Sequence, residues 1–149
     1  MANSIQYAKT QTTPITKLDT NELGGRVRMA FAEYEAATEQ STITMFTLPN
    51  GARLLSGAVS HDALNSSTTL SVGYAAHVKA DGTAQALDVD EYKAAAASTA
   101  ATSSDCLVTM ALGKNSVLDA NEDGVPITVT LAGADGAGTI QLQMFYVID

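Results

Sequence analysis

One stretch has residue types and spacing that suit an ion. Asp119-Ala120-Asn121-Glu122-Asp123-Gly124 matches D-x-N-x-D-G, the opening of a calcium loop. Oxygen ligands at alternating positions and a turning glycine are what Ca²⁺ coordination requires. The twelfth position from Asp119, where an EF-hand needs a bidentate glutamate, is Thr130. The flanks are patterned as strands, not helices. A solvated acidic turn is the plainer reading, and Asp119, Asn121 and Asp123 stand as a calcium candidate. His61 lies beside Asp62, and His77 follows sixteen residues later. A Ser–His–Asp site needs these to converge in space, and no G-x-S-x-G elbow accompanies them. Cys106 begins an apolar alternation with no base near it in sequence, which suits a small buried hydrophobe better than a nucleophile.

Other motifs carry less. Asn65-Ser66-Ser67 has the form of a glycosylation sequon and reads as a turn. Gly133, Gly136 and Gly138 lie between two strand patterns, where a hairpin loop is expected and not a phosphate cradle, which would open a helix. Two histidines and one cysteine are too few for a Cys/His zinc site. No cofactor is expected, and a structural or interaction role is favoured over an enzyme.

The elements around these residues are short and β-patterned. Val27, Met29 and Phe31 alternate with Arg28, Ala30 and Ala32; Ile43 and Met45 alternate with their neighbours. Asn50-Gly51 predicts a hairpin whose second strand spans about 52–60, with Leu55 and Val59 on one face. Further alternations run through Leu70–Tyr74, Cys106–Leu112, Val125–Leu131 and Ile140–Ile148. About eight strands bounded by Gly, Asn, Asp and Ser turns predict an all-β antiparallel sandwich or jelly roll. Asp88, Glu91 and the run Ala94–Ala97 predict one short inserted helix near 88–98, followed by a loop over 98–104. Residues 1–24 read as an extended arm with neither helical nor strand period. Gly24-Gly25 then leads into a body over 25–149.

Composition limits the core. Of 149 residues, 25 are Ala and only 32 are Leu, Ile, Val or Phe, so a gain from oligomerisation or docking is expected. Residues 1–28 carry four bases against two acids; residues 29–149 carry four bases against fourteen acids. An acidic body disfavours nucleic acid, whose binding rests on neutralising phosphates. No apolar run is long enough for a membrane helix, and the N-terminus shows no secretory pattern.

The order of segments resembles the head decoration (cement) proteins of tailed phages. The resemblance rests on "TLPNGARLL" at Thr47–Leu55, "TTLSVGYA" at Thr68–Ala75, the Ala/Asp-rich insertion at about 76–104, and the closing pair "VTLAG…GTIQLQMFYVID" at Val129–Asp149. It covers about residues 25–149. It implies a jelly-roll body that forms a homotrimer on the outer capsid surface, bound to the major capsid protein and stabilising the shell. The protein would be made in the host cytoplasm and reside in the virion. Lys9, Lys17, Arg26 and Arg28, in the arm and hinge, become candidate capsid contacts. A receptor- or carbohydrate-binding β-sandwich from a tail or fibre remains the alternative.

Overall fold

The computed structural model describes residues 3–14, 16–19 and 22–148. Positions 1, 2, 15, 20, 21 and 149 of the expected arm and body lie outside the described residues. The strands are β1 (Val27–Glu39), β2 (Thr42–Leu48), β3 (Arg53–His61), β4 (Thr69–Tyr74), β5 (His77–Val78), β6 (Ala84–Gln85), β7 (Asp88–Ala97), β8 (Thr102–Cys106), β9 (Val125–Ala132) and β10 (Gly136–Val147). Eight of them form two antiparallel sheets, in the orders β1-β10-β3-β8 and β2-β9-β4-β7; β5 and β6 form a separate ribbon. Successive long strands change sheet at every step except β4 to β7. This is the expected jelly-roll winding.

The core is the layer between the sheets. Leu54, Val59, Leu70, Val72, Ile127, Val129, Leu142 and Met144 are each no more than 1% exposed. Each contributes about 1.5–3 kcal/mol on burial. The expected apolar alternates of β4, β9 and β10 therefore meet this layer; the other alternate is partly exposed in β10, while β9 also buries Thr128 and β4 also buries Ser71 and Gly73.

Several local expectations fail, each for a non-local reason. Asn50-Gly51 does make a turn, with Gly51 at φ +79. The strands it joins are not partners, because β2 bonds to β9 while β3 bonds to β10 and β8. The turn instead carries the chain across the sandwich, and the Gly51 N–H donates to the Leu118 carbonyl at 2.9 Å. In β3 the buried residue is Leu54 and not Leu55. The register with β10 shifts between Phe145 and Tyr146, so one extra β3 residue inverts the facing.

The expected helix at 88–98 is strand β7. It pairs with β4 through Asp88↔Tyr74, Lys93↔Val72 and Ala96↔Leu70. Residues 70–73 of β4 are buried on both faces, so bare N–H and C=O groups along that edge would be costly. Alanine's helix preference is worth less than about 0.7 kcal/mol per residue against ordinary residues, and as a strand the segment places Tyr92, 3% exposed, in the core. The last residues of the expected loop at 98–104 open β8, which pairs with β3 through Val59↔Ser104 and Gly57↔Cys106. The alternation predicted from Cys106 to Leu112 ends at once. Leu107 takes φ +57, its N–H donates to the Tyr92 carbonyl at 2.9 Å, and a 3-10 turn follows at Met110–Leu112.

The arm is not wholly extended. Helix α1 (Ile5–Thr10) starts at Ser4, whose Oγ accepts the Tyr7 N–H at 3.1 Å. Such a cap supplies the first turn with an acceptor even where no apolar period exists.

The β4–β7 approach depends on Gly73. A Cβ there would meet the Asp88 carbonyl and lie 2.6 Å from the Val89 carbonyl carbon and 2.8 Å from the Asp90 nitrogen. Gly73→Ala is expected to lower the unfolding free energy by about 1–3 kcal/mol in urea titrations. An unchanged midpoint would refute the close contact.

Candidate interaction surfaces

Oxygens of the calcium candidate are engaged in local hydrogen bonds. Asp119 Oδ1 accepts the Ala80 N–H at 3.1 Å and faces a hollow shared with Tyr74, His77 and Lys79. Asn121 and Asp123 face a different depression. They bond to each other, Asn121 Nδ2 donating to Asp123 Oδ2 at 3.0 Å and the Asp123 N–H donating to Asn121 Oδ1 at 3.0 Å. Among the described residues, no three His, Cys, Asp or Glu side chains gather as a metal-binding group.

The histidines are also apart. His61 Nδ1 lies 2.7 Å from the Asp62 carbonyl, and His77 Nδ1 lies 3.1 Å from the Ala75 carbonyl. A carbonyl only accepts, so Nδ1 is the donor in both rings. The Asp62 carboxylate takes the Thr139 N–H at 3.1 Å and leaves the neighbouring His61 ring without a carboxylate partner. His77 stands edge-on to Tyr74, ring centroids 5.3 Å apart, in a hollow of about 160 Å³. Ser116 lines that hollow too, but its hydroxyl donates to the Gly113 carbonyl at 2.7 Å. Cys106 is buried, and burial pushes its thiol up to about 12.

The four candidate bases differ. Lys9 is tied within the arm to both carboxylate oxygens of Glu22 at 2.9 Å. That hydrogen bond, with help from Gln6, holds Glu22 below the usual carboxylate range. Lys17, Arg26 and Arg28 are exposed. Among the described residues, the side-chain hydrogen bonds of residues 4–22 stay within that stretch.

Sequence reasoning missed one surface. The apolar alternate of β1 points outward: Val27 is 61% exposed, Met29 57% and Phe31 53%. The inward alternate is Ala30, Tyr34 and Ala36, packed on the core. A signal for this was available, since Glu33 and Glu35 continue the parity of Met29 and Phe31. Two carboxylates on one alternate mark it as the wet face. Their side chains fix the polar half of this face, with Gln141 Nε2 donating to Glu33 at 2.6 Å and Thr139 Oγ1 donating to Glu35 at 2.7 Å.

Two outcomes follow. Iodoacetamide at pH 8 is expected to leave Cys106 unlabelled in the native protein and to label it fully in denaturant, because burial disfavours the thiolate. The melting temperature is expected to be the same in calcium and in chelator. A ligand bound only by the folded state raises it, so a clear upward shift would restore the calcium reading.

No protein-family model and no curated protein matches this chain. Its fold is similar to that of chains in solved phage capsids. A chain of the Ralstonia phage GP4 capsid matches with TM-score 0.64 and 23% identity, over 84% of this chain and 86% of that one. A chain of the cyanophage Pam1 capsid asymmetric unit matches with TM-score 0.61 and 18% identity, over 85% and 88%. A chain of the acidic stable capsid of Helicobacter pylori bacteriophage KHP30 matches with TM-score 0.51 and 16% identity, over 82% and 87%. The chain thus shares one all-β fold, over most of its length, with chains of three phage capsids.

Proposed function

We propose that this chain is a virion structural protein, without enzymatic activity, that decorates and stabilises the outer surface of a phage capsid. It acts as a homotrimer, with arm and body bridging neighbouring major capsid subunits. The observation that carries this reading is the shared fold: the likeness spans more than four-fifths of both chains in each case. Charge supports it. An acidic body suits a face that shuns nucleic acid, and exposed Lys17, Arg26 and Arg28 suit docking of the arm on an acidic shell. So does the small core, which gains stability from assembly. Side-chain hydrogen bonds that stay among the described residues of 4–22 suit an arm that acts as a separate contact element.

Co-sedimentation with purified capsids of the source phage tests the reading. The full chain is expected to pellet saturably with the capsids. A variant lacking residues 1–24 is expected to keep the melting temperature of the body and bind about tenfold more weakly. A full chain that stays in the supernatant would overturn the virion reading and favour a receptor- or carbohydrate-binding module.

A further inference from the structure

The hollow of about 160 Å³ is lined from both the β5–β6 ribbon and the β2-β9-β4-β7 sheet, with Tyr74, His77, Lys79, Glu91, Tyr92 and Asp119 on its walls. Tyr92 is 3% exposed, and burial holds its phenol above the ordinary value, so it is a neutral hydroxyl. Among the described residues, no hydrogen bond reaches that hydroxyl. A buried tyrosine hydroxyl normally has a partner. The sealed side-chain atoms without one are Arg53 Nε and Thr128 Oγ1. The Tyr92 hydroxyl is not among them, so it opens onto space, and the hollow is the space that Tyr92 lines.

The neighbours of Tyr92 offer acceptors. Glu91 is half-buried, and among the described residues neither a hydrogen bond nor an ion pair reaches its carboxylate. Burial, then the like charges of Asp88 and Asp90, push it above its ordinary value. Asp119 gives Oδ1 to the Ala80 N–H and keeps Oδ2. His77 donates through Nδ1, so the neutral ring keeps a lone pair on Nε2. The Tyr74 hydroxyl accepts from Gln85 Nε2 at 3.1 Å. Lys79 is the one base in the lining, and its charge acts on Asp81, whereas the charges acting on Glu91 are the two aspartates.

We propose that this hollow binds a guanidinium group among the Tyr74, His77 and Tyr92 rings, its N–H groups donating to the Glu91 carboxylate, Asp119 Oδ2 and the Tyr92 hydroxyl. Open acceptors in the lining call for a ligand that only donates, and guanidinium carries N–H donors and no acceptor. It is planar and weakly hydrated, and it is drawn to aromatic rings. Charge agrees, with two carboxylates in the lining against one ammonium. A bare metal ion fits less well, because among the described residues no three His, Cys, Asp or Glu side chains gather. A cavity of about 150 Å³ holds a benzene ring, so the smaller methylguanidinium ion has room here. The site is independent of the virion reading.

Amide chemical shifts of the isotope-labelled full chain, titrated with methylguanidinium chloride to about 20 mM at constant ionic strength, read this directly. Saturable shifts are expected at residues 74–79, 91–92 and 116–119, with a Kd on the order of 1 mM. N-methylurea, similar in shape and uncharged, should leave those amides unmoved. Glu91→Gln should bind about tenfold more weakly and keep the native melting temperature, since it breaks no existing bond. Tyr92→Phe, which keeps the ring, should bind several-fold more weakly. Glu122→Gln, at an exposed acid elsewhere, should bind like the native chain. A blocked arginine, N-acetyl-arginine N-methylamide, separates two sources of the group. Comparable binding assigns it to an arginine side chain of a partner protein; exclusion of the blocked residue while methylguanidinium binds assigns it to a free guanidine. No saturable shift at these amides, equal binding of N-methylurea, or native-like binding by Glu91→Gln overturns the proposal. No arm of the experiment involves capsids, so its failure leaves the virion reading standing.

Discussion

A single aliphatic layer presses two sheets together, and every strand that supplies it is bonded mainly to strands far away in the chain. The first long strand pairs with the last, from Val27↔Val147 to Ala37↔Ala137. The same last strand also pairs with β3, from Ile140↔His61 to Val147↔Arg53. Without β10, β1 has no neighbour in its sheet and β3 keeps only β8. Formation of the core is thus all-or-none, and the loop-closure entropy of long-range pairing must be met before any burial rewards it.

The modest supply of large aliphatics is placed where this layer needs it, and the rest of the surface is left to other uses. β1 lies at a sheet edge and meets the core with alanines and one tyrosine, so its methionine and phenylalanine are turned outward. Among the described residues 4–22, the side-chain hydrogen bonds stay within that stretch. The turns that looked like sites in sequence close on themselves, with Asn121 bonded to Asp123 and both histidine rings bonded to nearby carbonyls. Large apolar side chains left exposed include Val27, Met29 and Phe31 on β1 and Leu23, Leu87 and Met110 elsewhere.

Much of the fold was legible. Period-two alternation in β4, β9 and β10 identified the apolar residues that meet the core: Leu70 and Val72, Ile127 and Val129, and Leu142 and Met144. What failed were inferences from local preference. Ala94–Ala97 favours helix by tenths of a kcal/mol per residue, and that margin yields to the open edge of a strand buried on both faces. Asn50-Gly51 encodes a turn and not a pairing. Leu55 lost its place to Leu54 because a register shift, invisible in one strand's pattern, inverts the facing.

The sequence alone determined the class: many short alternating strands, a small core, an acidic body and a basic leading segment. These depend on residue type and spacing. Tertiary structure decided the partners, because hydrogen-bond pairing between distant strands leaves no trace in either strand's own pattern. It also decided that Met29 and Phe31 face solvent, that Asp119 accepts the Ala80 N–H while Asn121 and Asp123 bond to each other, and that Cys106 is buried. Which apolar residues meet the core depends on which sheet lies opposite, and that is fixed only when the whole winding closes.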